Sequence, residues 1–461
     1  MRFGVATAAA ATVMALGAGM LGVVAPGALT SALVPEAAAQ PAPGSSAALP
    51  GNVAPAPGSS APVPLPQDDP FYHYDGAAPL ESLANGEPLR QRESQVHVAG
   101  VPTPLRMTQV LYRTTDAAGR AHATATSIVH PAQPNGRVIS YQSAYDSLAP
   151  DCQPSYVMAG GFDRGMISTS EIGLIAPLVA LGYTVITSDF EGQDPHFANG
   201  VTYGHGTLDA IRAATRTPGS GVTTDSPIVL AGYSGGAIAT QWAAELAPEY
   251  APDVNEQLLG AAAGGLLVEP LRNLEYVDGS LLWKAVIPMA VAGIARGYEV
   301  DLDPYLTERG KEVFAKAETS CILPQFFDEL LHQQGVTWDD LVLPEYRDPR
   351  DFDLLQDLGG RMVMGTHGTP TIPLFLRQGG GGWIEGTDGT RPGIGAGDGV
   401  MLLDDGRDLA RDYCDRGVTV DYAGYPDLSH VLSAPVFMAE AVPWIDARFA
   451  GAPAPANCGR F

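Results

Sequence analysis

The run Ser226-Pro227-Ile228-Val229-Leu230-Ala231-Gly232-Tyr233-Ser234-Gly235-Gly236-Ala237-Ile238, continuing as a helix-forming stretch to Ala247, constrains the rest of the chain more than any other segment. Residues 228–231 are a short apolar segment suited to a buried strand, and 237–247 holds strong helix formers with apolar residues at helical spacing. Between them the backbone must turn sharply at one serine. In Gly232-Tyr233-Ser234-Gly235-Gly236 the outer glycines leave room for a strained turn, because a side chain at either place would collide with the neighbouring strand or helix. Such a turn lifts the Ser234 hydroxyl out of the sheet. It also aims the N–H of Gly235 and the start of the following helix at the place where negative charge would gather on a carbonyl attacked by that hydroxyl. The pattern alone is weak in a chain with 54 glycines; the strand before it and the helix after it give it weight.

The surroundings repeat this alternation. Residues 137–141, 184–189 and 227–231 are short apolar runs separated by helix-like stretches at 171–181 and 208–216, a pattern that predicts an α/β fold with a mainly parallel sheet covered on both faces. Thr108-Gln-Val-Leu-Tyr-Arg and Ala123-Thr-Ala-Thr-Ser-Ile-Val predict antiparallel strands at a sheet edge. Residues 374–377 and 418–422 read as the last two strands, and 436–449 as a closing helix. From 266 to 365 the alternation stops. Helices are predicted there at 281–294, 304–317 and 323–334, so this segment reads as a helical cap inserted above the serine, dividing the core into 69–265 and 366–461.

Upstream of the core, Met1-Arg2, an uncharged Ala/Gly/Val/Leu run and the small residues Ala37-Ala38-Ala39 read as a signal peptide over 1–39. Residues 40–68 form a Pro/Ala/Ser-rich linker without core-forming residues. Export to the medium or the cell envelope follows. The four cysteines, Cys152, Cys321, Cys414 and Cys458, then suggest two disulfides with three connectivities open. None has the Cys-x-x-Cys spacing of a metal site. A net charge of −25 repels phosphate backbones, so nucleic acid is an unlikely partner.

An activated serine needs a base, and the base needs an orienting acid. In this architecture both follow the serine, on loops leaving late strands. Of the three histidines after Ser234, His332 falls in a predicted cap helix and His367 precedes the penultimate strand. His430 lies after the last strand and is the predicted base. For the acid, Asp388, Asp398, Asp404 and Asp405 all satisfy the order. Asp398 is preferred because Val400 and Met401 would anchor its loop, whereas Asp388 suits a turn and Asp404 and Asp405 suit a helix start. A second oxyanion donor is expected on the loop leaving strand 137–141, at the N–H of Asp146 or a near neighbour. No metal or organic cofactor is required.

Tyr141-Gln, Tyr145-Asp-Ser, Cys152-Gln-Pro-Ser-Tyr, Ser188-Asp-Phe-Glu-Gly, Leu208-Asp-Ala-Ile-Arg-Ala-Ala, Gly232-Tyr-Ser-Gly-Gly-Ala and Tyr413-Cys-Asp-Arg-Gly, in this order, resemble the secretory (LIP-type) lipases over residues 69–461. The resemblance implies a capped α/β-hydrolase fold acting on acyl esters, with Ser234 as nucleophile, His430 as base, and Asp146 and Gly235 as oxyanion donors. It also implies disulfides Cys152–Cys321 and Cys414–Cys458. One departure stands out. Where such lipases commonly carry a compact Gly-x-x-Asp-x-x-Val-Pro segment, this chain has a long glycine-rich stretch ending in Asp398-Gly-Val-Met. The expected substrate is an acyl ester or lipid, with the apolar segment 281–294 either packing as cap core or meeting a lipid surface. An acyltransferase using the same residues, or a non-catalytic envelope protein on the same scaffold, are the rival classes.

Overall fold

The computed structural model describes residues 63–162, 164, 166–324, 336–387 and 393–461. The expected leader, most of the linker, His332 and Asp388 lie outside them. Within them a nine-stranded sheet is ordered β1-β2-β3-β5-β4-β6-β7-β8-β9. Its strands are β1 (Pro88–Val98), β2 (Val101–Thr115), β3 (Ala121–His130), β4 (Val138–Gln142), β5 (Thr184–Ser188), β6 (Ile228–Tyr233), β7 (Leu258–Gly264), β8 (Leu374–Gly379) and β9 (Val420–Tyr425). The first three pair antiparallel and β3 joins β5 antiparallel, while β5, β4, β6, β7, β8 and β9 run parallel. Every residue of β4 and β5 is buried, as expected of parallel strands with helices on both faces.

The covering helices include α1 (Ile167–Ala180), α2 (Gly200–Arg216), α3 (Gly235–Tyr250), α4 (Pro270–Val277), α5 (Val286–Gly297), α6 (Glu308–Ala317), α7 (Asp353–Gly360), α8 (Leu403–Asp415) and α9 (His430–Phe449). Between β7 and β8 the described residues hold helices and turns and no strand of the sheet; most of the expected helix 323–334 lies outside the described residues. The expected helix at 281–294 is instead a short 3-10 turn, Trp283–Ala285, followed by α5.

Two elements differ from expectation. Strand β7, Leu-Leu-Gly-Ala-Ala-Ala-Gly, lacks the β-branched residues that mark a strand. Its small residues serve packing: a side chain at Gly260 would strike Trp444, and one at Gly264 would strike Phe437 and Tyr233. The closing helix begins at His430 rather than at 436. Ser429 caps it, its hydroxyl accepting from the N–H of Leu432 at 3.4 Å, and the helix runs on through Pro435 and Pro443. His430 is therefore the first residue of a helix, not a loop residue.

Both disulfides pair as the resemblance implies, Cys152–Cys321 with Cα atoms 6.0 Å apart and Cys414–Cys458 with Cα atoms 5.7 Å apart. The second one fastens the C-terminal tail beside β9, an edge strand whose unpaired backbone groups would otherwise face solvent. Asn457 donates its N–H to the carbonyl of Val420 at 3.0 Å, and its side chain accepts from Tyr422 N–H at 3.0 Å and donates to Tyr422 O at 2.6 Å. The Phe461 ring then packs on Tyr422, centroids 5.0 Å apart. Replacing Cys414 and Cys458 together by serine is expected to lower the unfolding free energy by about 2–4 kcal/mol, because the cross-link closes a loop spanning 44 residues. Denaturant titration of the double variant checks this, and an unchanged midpoint would show that the tail is held by its other contacts alone.

Candidate active site

The site lies at the carboxyl ends of the parallel strands, where loops leaving β4, β6, β8 and β9 converge. At the end of β6 the backbone reverses through Ser234, whose φ of 57° and ψ of −124° place a non-glycine residue in a region that L-residues rarely occupy. The turn holds because its neighbours have no side chains: a Cβ at Gly232 would collide with the carbonyl of Gly236, and one at Gly236 with the carbonyl of Gln142. Ser234 N–H is fixed to the carbonyl of Gly264 at 2.8 Å. As the first residue of α3, Gly235 has an N–H without an intrahelical acceptor.

His430 reaches Ser234 from the β9 side. Its Nε2 lies 2.8 Å from Ser234 Oγ and its Nδ1 lies 2.8 Å from Asp398 Oδ2. His430 N–H also donates to the Asp398 carbonyl at 2.6 Å, so backbone and side chain of the two residues are joined twice. Tyr233 anchors the far side, its hydroxyl donating to the His430 carbonyl at 2.6 Å. Burial alone would push the imidazole below its ordinary value. The carboxylate of Asp398 outweighs that, with Glu385 adding to it, so His430 sits above the ordinary histidine range.

Asp398 is fully buried. Its Oδ1 accepts from the N–H groups of Val400 at 3.1 Å and Met401 at 2.8 Å, and Gln378, at the end of β8, donates to Oδ2 at 3.0 Å. A carboxylate with this many donors has one orientation available to it. The competing acids are elsewhere. Asp404 pairs with Arg407 and Asp405 with Arg272, both in the first turn of α8, while His367 packs its ring on Trp242. Asp388 lies outside the described residues.

Asp146 follows β4 and faces the serine turn from the opposite side. Its φ is 34°, and a Cβ on Gly235 would run into its carboxyl oxygen, so carboxyl and glycine are in close contact. Among the described residues its Oδ1 has no hydrogen-bond partner. Burial, reinforced by Glu171, pushes this carboxyl up to about 8. The loop is held from three directions. Glu171 of α1 accepts from Tyr141, Ser143 and the N–H of Ala144; Glu191 accepts from Ser147 N–H at 3.2 Å; and Ile322 N–H donates to the Asp146 carbonyl at 3.1 Å, beside the Cys152–Cys321 bond.

Ser234, Gly235 and Asp146 line a cleft with about 880 Å³ of empty space, part of it open to solvent. Its walls are almost wholly apolar: Leu271, Leu274 and Val277 from α4, Ile287, Val291 and Ile294 from α5, Leu355 and Leu358 from α7, and Trp283. A long aliphatic group fits such a lining, and a charged one does not. No group of three or more potential metal-ligating side chains occurs among the described residues.

Residues 163–381 match the family model described as secretory lipase. Lipase 6 of Candida albicans (strain SC5314 / ATCC MYA-2876) is 30% identical over 415 residues, which cover 86% of this chain and 84% of that protein.

The chain belongs to the secretory lipase family.

Among solved structures, lipase A of Candida antarctica in its closed state superposes with a TM-score of 0.73 at 25% identity, covering 87% of this chain and 90% of that one. The fold is thus that of the α/β-hydrolase lipases. A protein described as a probable inactive lipase of Mycobacterium tuberculosis (strain CDC 1551 / Oshkosh) is 29% identical over 84% of this chain and 83% of its own. No helix among the described residues is long and apolar enough to cross a membrane.

Ser234, Gly235, Asp146, Asp398 and His430, all expected from the sequence as site residues, come together in the structure. Gln378, Tyr233, Glu171, Glu191, Glu385 and Trp283, which pack around them, were not expected there. Gln378 had a signal, a polar residue at the carboxyl end of a buried strand. The others are defined by contacts between segments far apart in the chain. The raised Asp146 carboxyl has a consequence for stability. It keeps its proton in the folded chain between about pH 4 and pH 8, while the unfolded chain has lost it, so stability from this group is greatest below its ordinary value of 3.8 and falls as pH rises toward 8. Asp146→Asn is expected to flatten that decline, as measured by urea unfolding at a series of pH values; identical slopes in the two proteins would contradict it.

Proposed function

We propose that this member of the secretory lipase family is a secreted serine ester hydrolase, a triacylglycerol lipase in substrate class, working through an acyl-enzyme on Ser234. The observation that carries the reading is the unbroken hydrogen-bonded line Asp398–His430–Ser234, whose serine lines an apolar cleft.

In this scheme an acyl chain lies in the cleft and its ester carbonyl sits over Ser234. His430 Nε2 takes the hydroxyl proton as Ser234 Oγ attacks the carbonyl carbon. The N–H groups of Gly235 and Asp146 donate to the oxyanion, which is favoured because they are fixed before reaction and shielded from water. His430 then returns the proton to the departing alcohol. Water, activated by the same imidazole, releases the fatty acid and restores the serine. Asp398 fixes the imidazole tautomer and stabilises the imidazolium. Residues 266–365 act as a cap that supplies most of the acyl-binding wall. A leader over 1–39 and the two disulfides fit an exported protein.

Ser234→Ala is expected to abolish hydrolysis of medium-chain p-nitrophenyl esters while leaving the thermal unfolding temperature within a few degrees of the parent. Asp398→Asn should lower kcat about a thousandfold or more, as expected when the imidazole loses its orienting charge. Asp404→Asn should leave kcat within about threefold, its carboxylate being a partner of Arg407 outside the proposed machinery. Steady-state kinetics on the three purified variants decides. An active Ser234→Ala variant, or an Asp398→Asn variant at parental rate, would overturn the assignment.

A further inference from the structure

The glycine-rich stretch between β8 and Asp398 brings a second carboxyl group to the histidine. Glu385 closes the 3-10 turn Gly382–Glu385 and is buried, although its neighbour Trp383 is mostly exposed. Its two oxygens have different tasks. Oε1 accepts from the N–H of Val431, the second residue of α9, at 2.9 Å. Oε2 accepts from the indole Nε1 of Trp283 at 2.7 Å.

Trp283 comes from the segment preceding α5 and lines the cleft. Its ring meets the His430 imidazole edge to face, with centroids 5.1 Å apart and planes at 79°. The pair is packed tightly enough to dictate the residue after the acid. Gly399 has a φ of 131°, and a Cβ there would lie 2.8 Å from Trp283 Nε1 and 2.9 Å from Glu385 Oε2. Thr387 closes the same unit, its hydroxyl donating to the Gly399 carbonyl at 2.6 Å. Glu385, Trp283, Gly399 and the start of α9 therefore form one interlocked cluster against His430.

We infer that Glu385 is a positioning residue for His430: one oxygen fixes the first turn of the helix that bears the imidazole, and the other holds Trp283 against the ring as a wall. This rests on His430 acting as the base for Ser234. The glycine-rich stretch then adds a second acidic brace beside Asp398 and ties the wall of the acyl cleft to the reacting histidine. The charged and titratable groups facing His430 are Asp398 and Glu385 from the β8–α8 connection, Asp146 from the β4 loop and Tyr233 from β6. Burial pushes the Glu385 carboxyl up, and the nearby imidazole counters it.

Glu385→Gln removes the charge and leaves an amide facing two N–H donors, so one of the two bonds is lost. In the purified full chain it is expected to lower kcat at least tenfold with KM changed by less than about threefold, as for loss of a bond to a charged group. The acidic limb of the kcat/KM profile should move about one pH unit toward acid, because a negative charge beside the imidazole is gone. Trp283→Phe keeps the carboxylate and loses the indole donor together with part of the ring wall; it should lower kcat about threefold or more with the acidic limb unmoved. Parental kcat and an unmoved limb in Glu385→Gln would overturn the inference. If that variant does not fold, Trp283→Phe at the parental kcat overturns it. Ser234→Ala, run alongside, separates the outcomes: if it remains active, the serine mechanism itself is wrong, whereas an inactive Ser234→Ala with unaffected Glu385 and Trp283 variants refutes the brace alone.

Discussion

The bond between a buried imidazole and a buried carboxylate organises this molecule. Removing His430 from water disfavours its charged form, and removing Asp398 from water is costlier still unless its oxygens are occupied. The chain meets both conditions. Two backbone N–H groups and the Gln378 amide occupy the acid, the acid occupies Nδ1, and Nε2 is left with only Ser234 Oγ to address. The loops after β8 and β9 are locked in register by this contact and by the second link from His430 N–H to the Asp398 carbonyl.

The opposite wall of the site follows the same rule. The loop after β4 would place backbone groups in a dry interior, and acids from other elements take them up: Glu171 accepts the N–H of Ala144, and Glu191 accepts that of Ser147. Asp189, one strand end away, accepts from Ser155 and is pushed by burial up to about 7. These carboxyl groups explain how an acidic protein can bury so many acids next to a cleft with an apolar lining. Each has a donor for its oxygens or, like Asp146, a proton of its own across most of the neutral range.

Much of this was legible in the sequence, for identifiable reasons. The serine turn is written locally, since strand, glycines and helix are contiguous from Ile228 to Ala247. His430 was expected from chain order, because the fold delivers its late loops to one edge of the sheet; order alone left four acids open, and Asp398 was preferred because Val400 and Met401 would anchor its loop. Strand β7 escaped notice because its residues were shaped by Phe437 and Trp444 of a helix about 180 positions later, and those partners select alanine and glycine over the usual strand formers. Glu385 escaped because nothing around it in sequence distinguishes it from other acids in a glycine-rich loop. Its meaning comes from Trp283 and Val431, on either side of it in the chain and adjacent to it only after folding.

The central claim is that the hydroxyl at 234, made reactive by the imidazole at 430, forms a covalent bond with acyl-like electrophiles. The most direct measurement is labelling of the purified chain with a fluorophosphonate, followed by peptide mapping by mass spectrometry, on the parent and on His430→Ala. The account predicts a single adduct on the peptide containing Ser234 in the parent and labelling slowed at least a hundredfold without the imidazole. An unlabelled parent, or an adduct on any other residue, would contradict it.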